Sequence, residues 1–255
     1  MAIIALTREV SPAIGRCELT HLERSAIDPE VARAQHEAYE IRLVAAGCTV
    51  QRLDASSDIP DSVFIEDTAI VFDELAVIAR PGAPSRRVET SAVEEVLARH
   101  RPVRRIESPG TLDGGDVLRV GRTVFVGCST RTNATATQQV RSILEPLGYD
   151  VRIVDVRGCL HLKSAVTSVA DNALLVNREW VRESEFADFD LIEVHPAEPF
   201  GANALRVGEA VIYAASFPRT RDRLERRGIR VDTVDVSELA KAEGGVTCCS
   251  ILIAI

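Results

Sequence analysis

Residues 61–80, DSVFIEDTAIVFDELAVIAR, decide the fold. They read as two β-rich runs joined by the turn-like pair Asp73 and Glu74. The following stretch RVETSAVEEVLARH (87–100) has helical spacing, and VRRIE (103–107) resumes as strand. The order is strand, strand, helix, strand. A doubly wound nucleotide-binding sheet would instead alternate single strands with helices and open on a Gly-rich turn; this chain has hairpins and no GxGxxG.

The same order recurs along the chain, in phase rather than in residue identity. TLDGGDVLRVGRTVFVGCS (111–129) opens a second unit, completed by the helix NATATQQVRSILEPLG and the strand DVRIVDV. CLHLKSAVTSVADNALLVN (159–177) opens a third, with a shorter helix expected from Arg178 and the strand DLIEVHP. GANALRVGEAVIYAAS (201–216) opens a fourth, followed by the helix TRDRLERRG and the strand IRVDTVDV. Gly-Arg, Asp-Asn and Gly-Glu pairs stand where the hairpins must turn. A fifth unit is split between the termini: GGVTCCSILIAI (244–255) supplies its first strand and MAIIALTRE its second. The helix EVARAQHEAYEIRLVAAG and the strand TVQRLD complete it. Such a chain closes into a ring of five ββαβ units around a central channel, an α/β-propeller with no orphan sheet edge. With no Pro-, Gly- or Ser-rich linker, residues 1–255 are expected to form a single domain.

Composition narrows the function. A net charge of -8 over 255 residues argues against a nucleic-acid-binding surface, which concentrates Lys and Arg. The apolar start of the chain is broken by Thr7, Arg8 and Glu9, and no stretch approaches a membrane span, so neither secretion nor a membrane partner is expected. A cytoplasmic location follows, in which the six cysteines stay reduced. None forms a CxxC pair, which disfavours structural zinc; Cys17, Cys48, Cys128 and Cys159 read as small packing side chains.

The first strand of each unit should line the axis. At or near the starts of these strands stand Asp61, Glu66 and Asp67; Asp113 and Asp116; His161 and Lys163; Asn203; and Cys248 and Cys249. Carboxylates, a histidine and a cysteine far apart in sequence would meet in space. A thiolate is a nucleophile, and an imidazole can deliver a proton to a leaving group and then take one from water. Several carboxylates raise a thiol's pKa, which suits a substrate that brings its own positive charge. A guanidinium, whose N–H fork pairs with carboxylates, is such a substrate. Each motif alone has a plainer reading: SRR as a solvated loop, LDGGD as a capped turn, RTN as a helix cap with Asn133 at its start. Their common phase favours chemistry. Strand alternation lets only one of Cys248 and Cys249 face the channel, and phase leaves open which.

With these residues assembled, the chain resembles the dimethylarginine dimethylaminohydrolase family of guanidino-modifying enzymes, which have the five-bladed α/β-propeller (pentein) fold. The resemblance rests on PDSVFIED (60–67), RPGAPSRR (80–87), TLDGGDVL (111–118), RTN (131–133), LHLK (160–163), FPRTR (217–221) and GGVTCCS (244–250), in the family's order over nearly the whole length. It implies hydrolysis of methylated arginine to citrulline, with Cys248 as nucleophile, His161 as proton donor and then base, and Asp113 completing the catalytic group. Asp61, Glu66 and Asp67 would engage the guanidinium and the amino-acid head. Arg86 and Arg131 would grip the α-carboxylate, and Ala242 would offer its backbone carbonyl. CELTHLERS (17–25) occupies the place of the family's lid, with Leu19 aligned to a substrate-contacting leucine. Neither metal nor organic cofactor is implied. The expected partner is a small guanidino molecule, and a homodimer is the protein assembly considered. Arginine deiminases of the superfamily rank second, since they usually carry a helical insertion for which this chain has no room. A non-catalytic binding ring, such as the ribosome anti-association factors, would not need Cys248, His161 and Asp113 together. A metal-binding protein ranks last, for want of further ligands.

Overall fold

The computed structural model describes residues 2–55 and 58–255. Five three-stranded sheets repeat one topology: an antiparallel hairpin, then a crossover to a parallel third strand. In chain order the elements are β1 (Ile3–Arg8), α1 (Pro29–Ala45) and β2 (Cys48–Leu53), then β3 (Ala69–Val71), β4 (Ala76–Ile78), α2 (Thr90–Leu97) and β5 (Val103–Arg105). Next come β6 (Val117–Val120), β7 (Thr123–Cys128), α3 (Ala134–Leu144) and β8 (Asp150–Asp155), followed by α4 (Leu162–Ala165), β9 (Val166–Ala170), β10 (Ala173–Val176) and β11 (Asp190–Glu193). The chain ends with β12 (Ala204–Val207), β13 (Ala210–Ala214), α5 (Pro218–Arg226), β14 (Arg230–Val234), α6 (Ser237–Ala240) and β15 (Ile251–Ala254). Strand β15 pairs antiparallel with β1, Leu6 opposite Ile251, and β1 runs parallel to β2. The two ends of the chain thereby share one blade, as expected; Met1 lies outside the described residues.

Local chemistry sets the element ends. Asp28 caps α1 by accepting from the backbone N–H groups of Glu30 and Val31, ahead of Pro29. Asn133 caps α3 through Ala136 N–H and holds the incoming loop through Thr111 N–H, so the plain reading of this residue as a cap is correct. Gly121 and Gly208 both take φ +59°, the left-handed geometry needed at the turns between β6 and β7 and between β12 and β13. Two expectations change. The third blade has only a 3₁₀ turn, Glu183–Phe186, where a helix was expected from Arg178. Phe186 alone of its four residues is buried, stacked on Phe125, so the segment lacks the apolar stripe that sustains a helix. The expected strand through the cysteine pair begins only at Ile251, and residues 246–249 form a turn.

The core consists of apolar clusters between neighbouring blades. One of them joins Tyr39 and Leu43 of α1 to Phe64, Ala242, Val246 and Cys249, so packing of the first blade fixes the turn that carries the cysteines. Each fully buried side chain of this size contributes roughly 1.5–3 kcal/mol. No helix among the described residues is long and apolar enough to cross a membrane.

Candidate active site

A short helical turn or bend precedes the first strand of every blade. These are Ile65–Thr68 before β3, Gly114–Asp116 before β6, α4 before β9, Pro199–Ala202 before β12, and the turn at 246–249 before β15. The polar residues found in one phase in the sequence sit on or beside these turns, which converge on the propeller axis. One end of the axis is a cavity of about 540 Å³ lined by the first strands of all five blades. At the other end a small polar cavity of about 20 Å³ brings together Asp61, Asp67, Arg86, Arg131, His161, Ala242 and Cys248.

His161 and its carboxylates form the wall of this small cavity. Its Nε2 lies 3.1 Å from Asp113 Oδ2, and its Nδ1 lies 3.8 Å from Asp67 Oδ1. Asp113 is fully buried and its other oxygen accepts from Gly82 N–H at 2.8 Å, which gives the RPGAPSRR loop a structural task. Asp67 accepts from Arg86 Nη1 at 2.6 Å and from Gly115 N–H at 3.0 Å. Position 115 must be glycine: a Cβ there would stand 2.7 Å from His161 Nδ1 and 2.9 Å from Asp67 Oδ1. Asp116 accepts from Ser129 Oγ, Thr132 Oγ1 and Leu162 N–H, and so fixes the backbone beside His161.

Charge follows from these contacts. Burial alone would lower the imidazole pKa of His161, but Asp67, the hydrogen bond to Asp113 and the charge of Asp116 lift it to about 9. The ring is an imidazolium at neutral pH. Burial also opposes ionisation of Asp67, yet His161 and Arg86 hold its carboxyl down at about 2. Asp116 goes the other way, pushed by burial to about 6 in spite of its three donors. Burial, then the negative charges of Glu66 and Asp67, push the Cys248 thiol up to about 12. The carboxylate-rich site thus disfavours a thiolate while no cation is bound, in the direction expected from the sequence.

Cys248 and Cys249 separate by environment. Cys248 Sγ lines the small polar cavity and accepts from Gly245 N–H at 3.3 Å. It also borders a second cavity of about 390 Å³, with Leu22, Phe217, Val236 and Val246 among its walls. Cys249 is fully buried in the core cluster. The split is made by a turn, not by the strand alternation expected.

The arginines and acids divide too. Arg86 is fully engaged, with its fork on Glu89 at 3.0 and 2.9 Å and further bonds to Asp67 and Phe64 O. Arg131 donates to Thr20 Oγ1 at 3.1 Å. Asp61, which burial pushes up, accepts from Glu18 N–H with both oxygens. Glu66 lines the larger axial cavity rather than the small one, yet stands close enough to Cys248 for its charge to act on the thiol. There Lys163 Nζ at 2.6 Å and Thr247 Oγ1 at 2.8 Å hold its carboxylate, and its N–H binds Cys248 O. Leu19 packs partly buried against the core cluster and is not among the residues lining either cavity beside Cys248. Sequence reasoning missed Glu89, Thr247 and Glu243: Thr247 and Glu243 are defined by partners distant in sequence, whereas Glu89 pairs with Arg86 only three residues before it, a local signal that was there to be read. Asp67, Asp113 and His161 offer ligand atoms within 4.8 Å of one another, as a metal site would, but all three are already engaged by the contacts above.

A sequence profile of the family described as "N,N dimethylarginine dimethylhydrolase, eukaryotic" matches residues 20–254. The N(G),N(G)-dimethylarginine dimethylaminohydrolase of Pseudomonas aeruginosa is 42% identical over 227 residues, covering 88% of this chain and 89% of that protein. The enzyme of the same name from Streptomyces coelicolor is 43% identical over 249 residues, covering 97% and 95%. Among solved structures, a cysteine-to-serine mutant of the Pseudomonas aeruginosa protein complexed with citrulline superimposes with a TM-score of 0.95 at 38% identity, covering 99% of this chain and 100% of the other. The N-terminal domain of a cyanobacterial arginine dihydrolase shares the fold, with a TM-score of 0.85 at 17% identity over 99% and 98% of the two chains.

Proposed function

This chain belongs to the dimethylarginine dimethylaminohydrolase family, and from that premise we propose how its residues divide the reaction. The enzyme hydrolyses a C–N bond of Nω-methylated arginine, yielding citrulline and methylamine or dimethylamine. One observation carries the assignment of roles: the Cys248 thiol and the His161 imidazole line one small cavity with Asp67, Asp61 and Arg131.

The substrate guanidinium enters beside Asp67 and supplies the positive charge that the thiol lacks. Cys248 gives up its proton to solvent and Sγ attacks the guanidinium carbon. His161 donates its proton to the methylated nitrogen, the C–N bond breaks and the amine departs, leaving a thiouronium on Cys248. Neutral His161 then takes one proton from water as its oxygen attacks the same carbon; as the C–S bond breaks the remaining hydroxyl proton passes to Cys248 Sγ, so citrulline leaves and the thiol and imidazolium are restored. Asp113 holds the imidazole in orientation and Asp116 fixes the backbone behind it. Arg131 takes the α-carboxylate, whereas Arg86, already committed to Glu89 and Asp67, orders the cavity wall. Asp61 and the carbonyl of Ala242 take the α-ammonium, and Leu19, packed partly buried against the core cluster, anchors the segment that covers the site. Glu66 anchors the nucleophile turn through Thr247 rather than meeting the guanidinium. The six free cysteines suit a reducing, cytoplasmic setting.

The test is to incubate the folded protein with asymmetric dimethylarginine, monomethylarginine and arginine and to measure citrulline with the released amine. Citrulline from the methylated substrates is expected. Ammonia from arginine alone would move the chain to the deiminases, and no citrulline from any of them would overturn the enzymatic reading.

A further inference from the structure

Glu243 stands out among the described residues as the non-glycine with positive φ, at +59°. L side chains adopt that region only at a cost, and two glycines follow directly at 244 and 245. The strained position nevertheless carries a carboxylate. Its two oxygens accept from Thr20 N–H at 3.1 Å each, and Oε1 accepts from His21 N–H at 2.5 Å and Leu22 N–H at 2.6 Å. Three successive backbone N–H groups pointed at one anion make a nest. All three residues are exposed, and residues 17–28 contain no helix or strand. At these three residues the segment is held by polar contacts rather than by burial.

Both ends of this contact belong to the site. Glu243 follows Ala242 and lines both cavities beside Cys248, while His21 and Leu22 border the larger one. The turn that carries Glu243 is rigid: Gly244 packs on Phe64 and Gly245 on Asn203 with no room for a Cβ, and Gly245 N–H reaches Cys248 Sγ.

We propose that Glu243 is a positioning residue, a latch whose carboxylate holds the lid closed over the site by binding the backbone N–H nest of Thr20, His21 and Leu22. The proposal rests on the methylarginine hydrolase reading for its kinetic arm only. The latch acts on substrate retention, and Cys248 and His161 perform the chemistry unchanged.

The informative variant is Glu243→Gly, because glycine accepts φ +59° and should fold at least as stably while lacking the carboxylate. Hydrogen–deuterium exchange on the ligand-free full chain is expected to show amides in residues 18–26 exchanging about tenfold faster, with no fall in the thermal midpoint. The KM for asymmetric dimethylarginine is expected to rise about tenfold while kcat changes less than about threefold. Glu243→Gln, which keeps an acceptor without the charge, should fall between the two proteins in both readouts. Lid exchange in Glu243→Gly equal to that of the unaltered protein would overturn the latch. So would a raised KM without faster exchange, which would make Glu243 a substrate contact. The exchange arm needs no turnover, so its failure is separable from failure of the substrate assignment.

Discussion

The two sides of the Cys248 cavity are built by opposite means. The His161 wall stands on turns that repeat blade after blade, with Asp67, Asp113 and Asp116 buried and each held by at least two donors. The opposite side, residues 17–28, which includes the stretch 17–25 in the place of the family's lid, has no regular structure and is tied down by polar contacts to Asp61, Arg131 and Glu243. Groups that must hold a charge within a fraction of an ångström belong on the rigid side. Groups that must let a substrate in and out belong on the other. A substitution in the wall should therefore act on kcat and one in the lid on KM, and the predictions below test that division.

The largest effect is expected at the nucleophile. Cys248→Ser should lower citrulline formation by on the order of 10⁴-fold or more, since the hydroxyl is a poor nucleophile where no group is placed to deprotonate it. Cys249→Ser should keep more than about a third of the activity. It should cost about 1–2 kcal/mol of stability, because it puts a hydroxyl into an apolar cluster. Activity assays beside thermal melts separate the two, and the reverse ranking would show that the neighbouring thiol is the reactive one.

Next in size is Asp113→Asn, expected to lower kcat by about 10² to 10³-fold with KM changed little. Its pH profile is the sharper readout. With the thiol near 12 and the imidazole near 9, raising the pH from 7 increases the thiolate fraction while His161 keeps its proton. The value of kcat/KM should climb toward pH 9 and then level, as each further gain in thiolate is offset by loss of imidazolium. Removing the Asp113 charge lowers the imidazole pKa, so the levelling should move to lower pH. A profile flat from pH 6 to 8 in the unaltered enzyme would instead indicate a preformed thiolate–imidazolium pair.

The same contrast explains what could be read from the sequence. The blade order was legible because hairpin turns such as Gly121-Arg122 and helix caps such as Asn133 are local signals. The wall was legible because the repeat places Asp67, Asp113, His161 and Cys248 in one phase. Alternation failed at Cys248 and Cys249 because periodicity does not distinguish a strand from the turn that feeds it. The direction of the Glu66 carboxylate could not be read, because it is set by Lys163 and Thr247, both distant in sequence. The lid left the least trace. Most of its contacts are backbone N–H groups bound by distant side chains, Asp61 and Glu243, and backbone groups carry no sequence signal.

The smallest effect tests the lid's own stem. Arg24 donates to Gly15 O at 2.8 Å and to Cys17 O at 2.6 Å, closing the segment on itself without touching the wall. These bonds are partly open to water, where each is worth about 1 kcal/mol or less. Arg24→Ala should therefore raise KM by about two- to threefold and leave kcat and its pH profile unchanged. Steady-state rates at pH 7 and pH 9 suffice to check it. A tenfold fall in kcat would break the division, because the lid would then be setting the geometry of Cys248 and His161 rather than admitting and retaining their substrate.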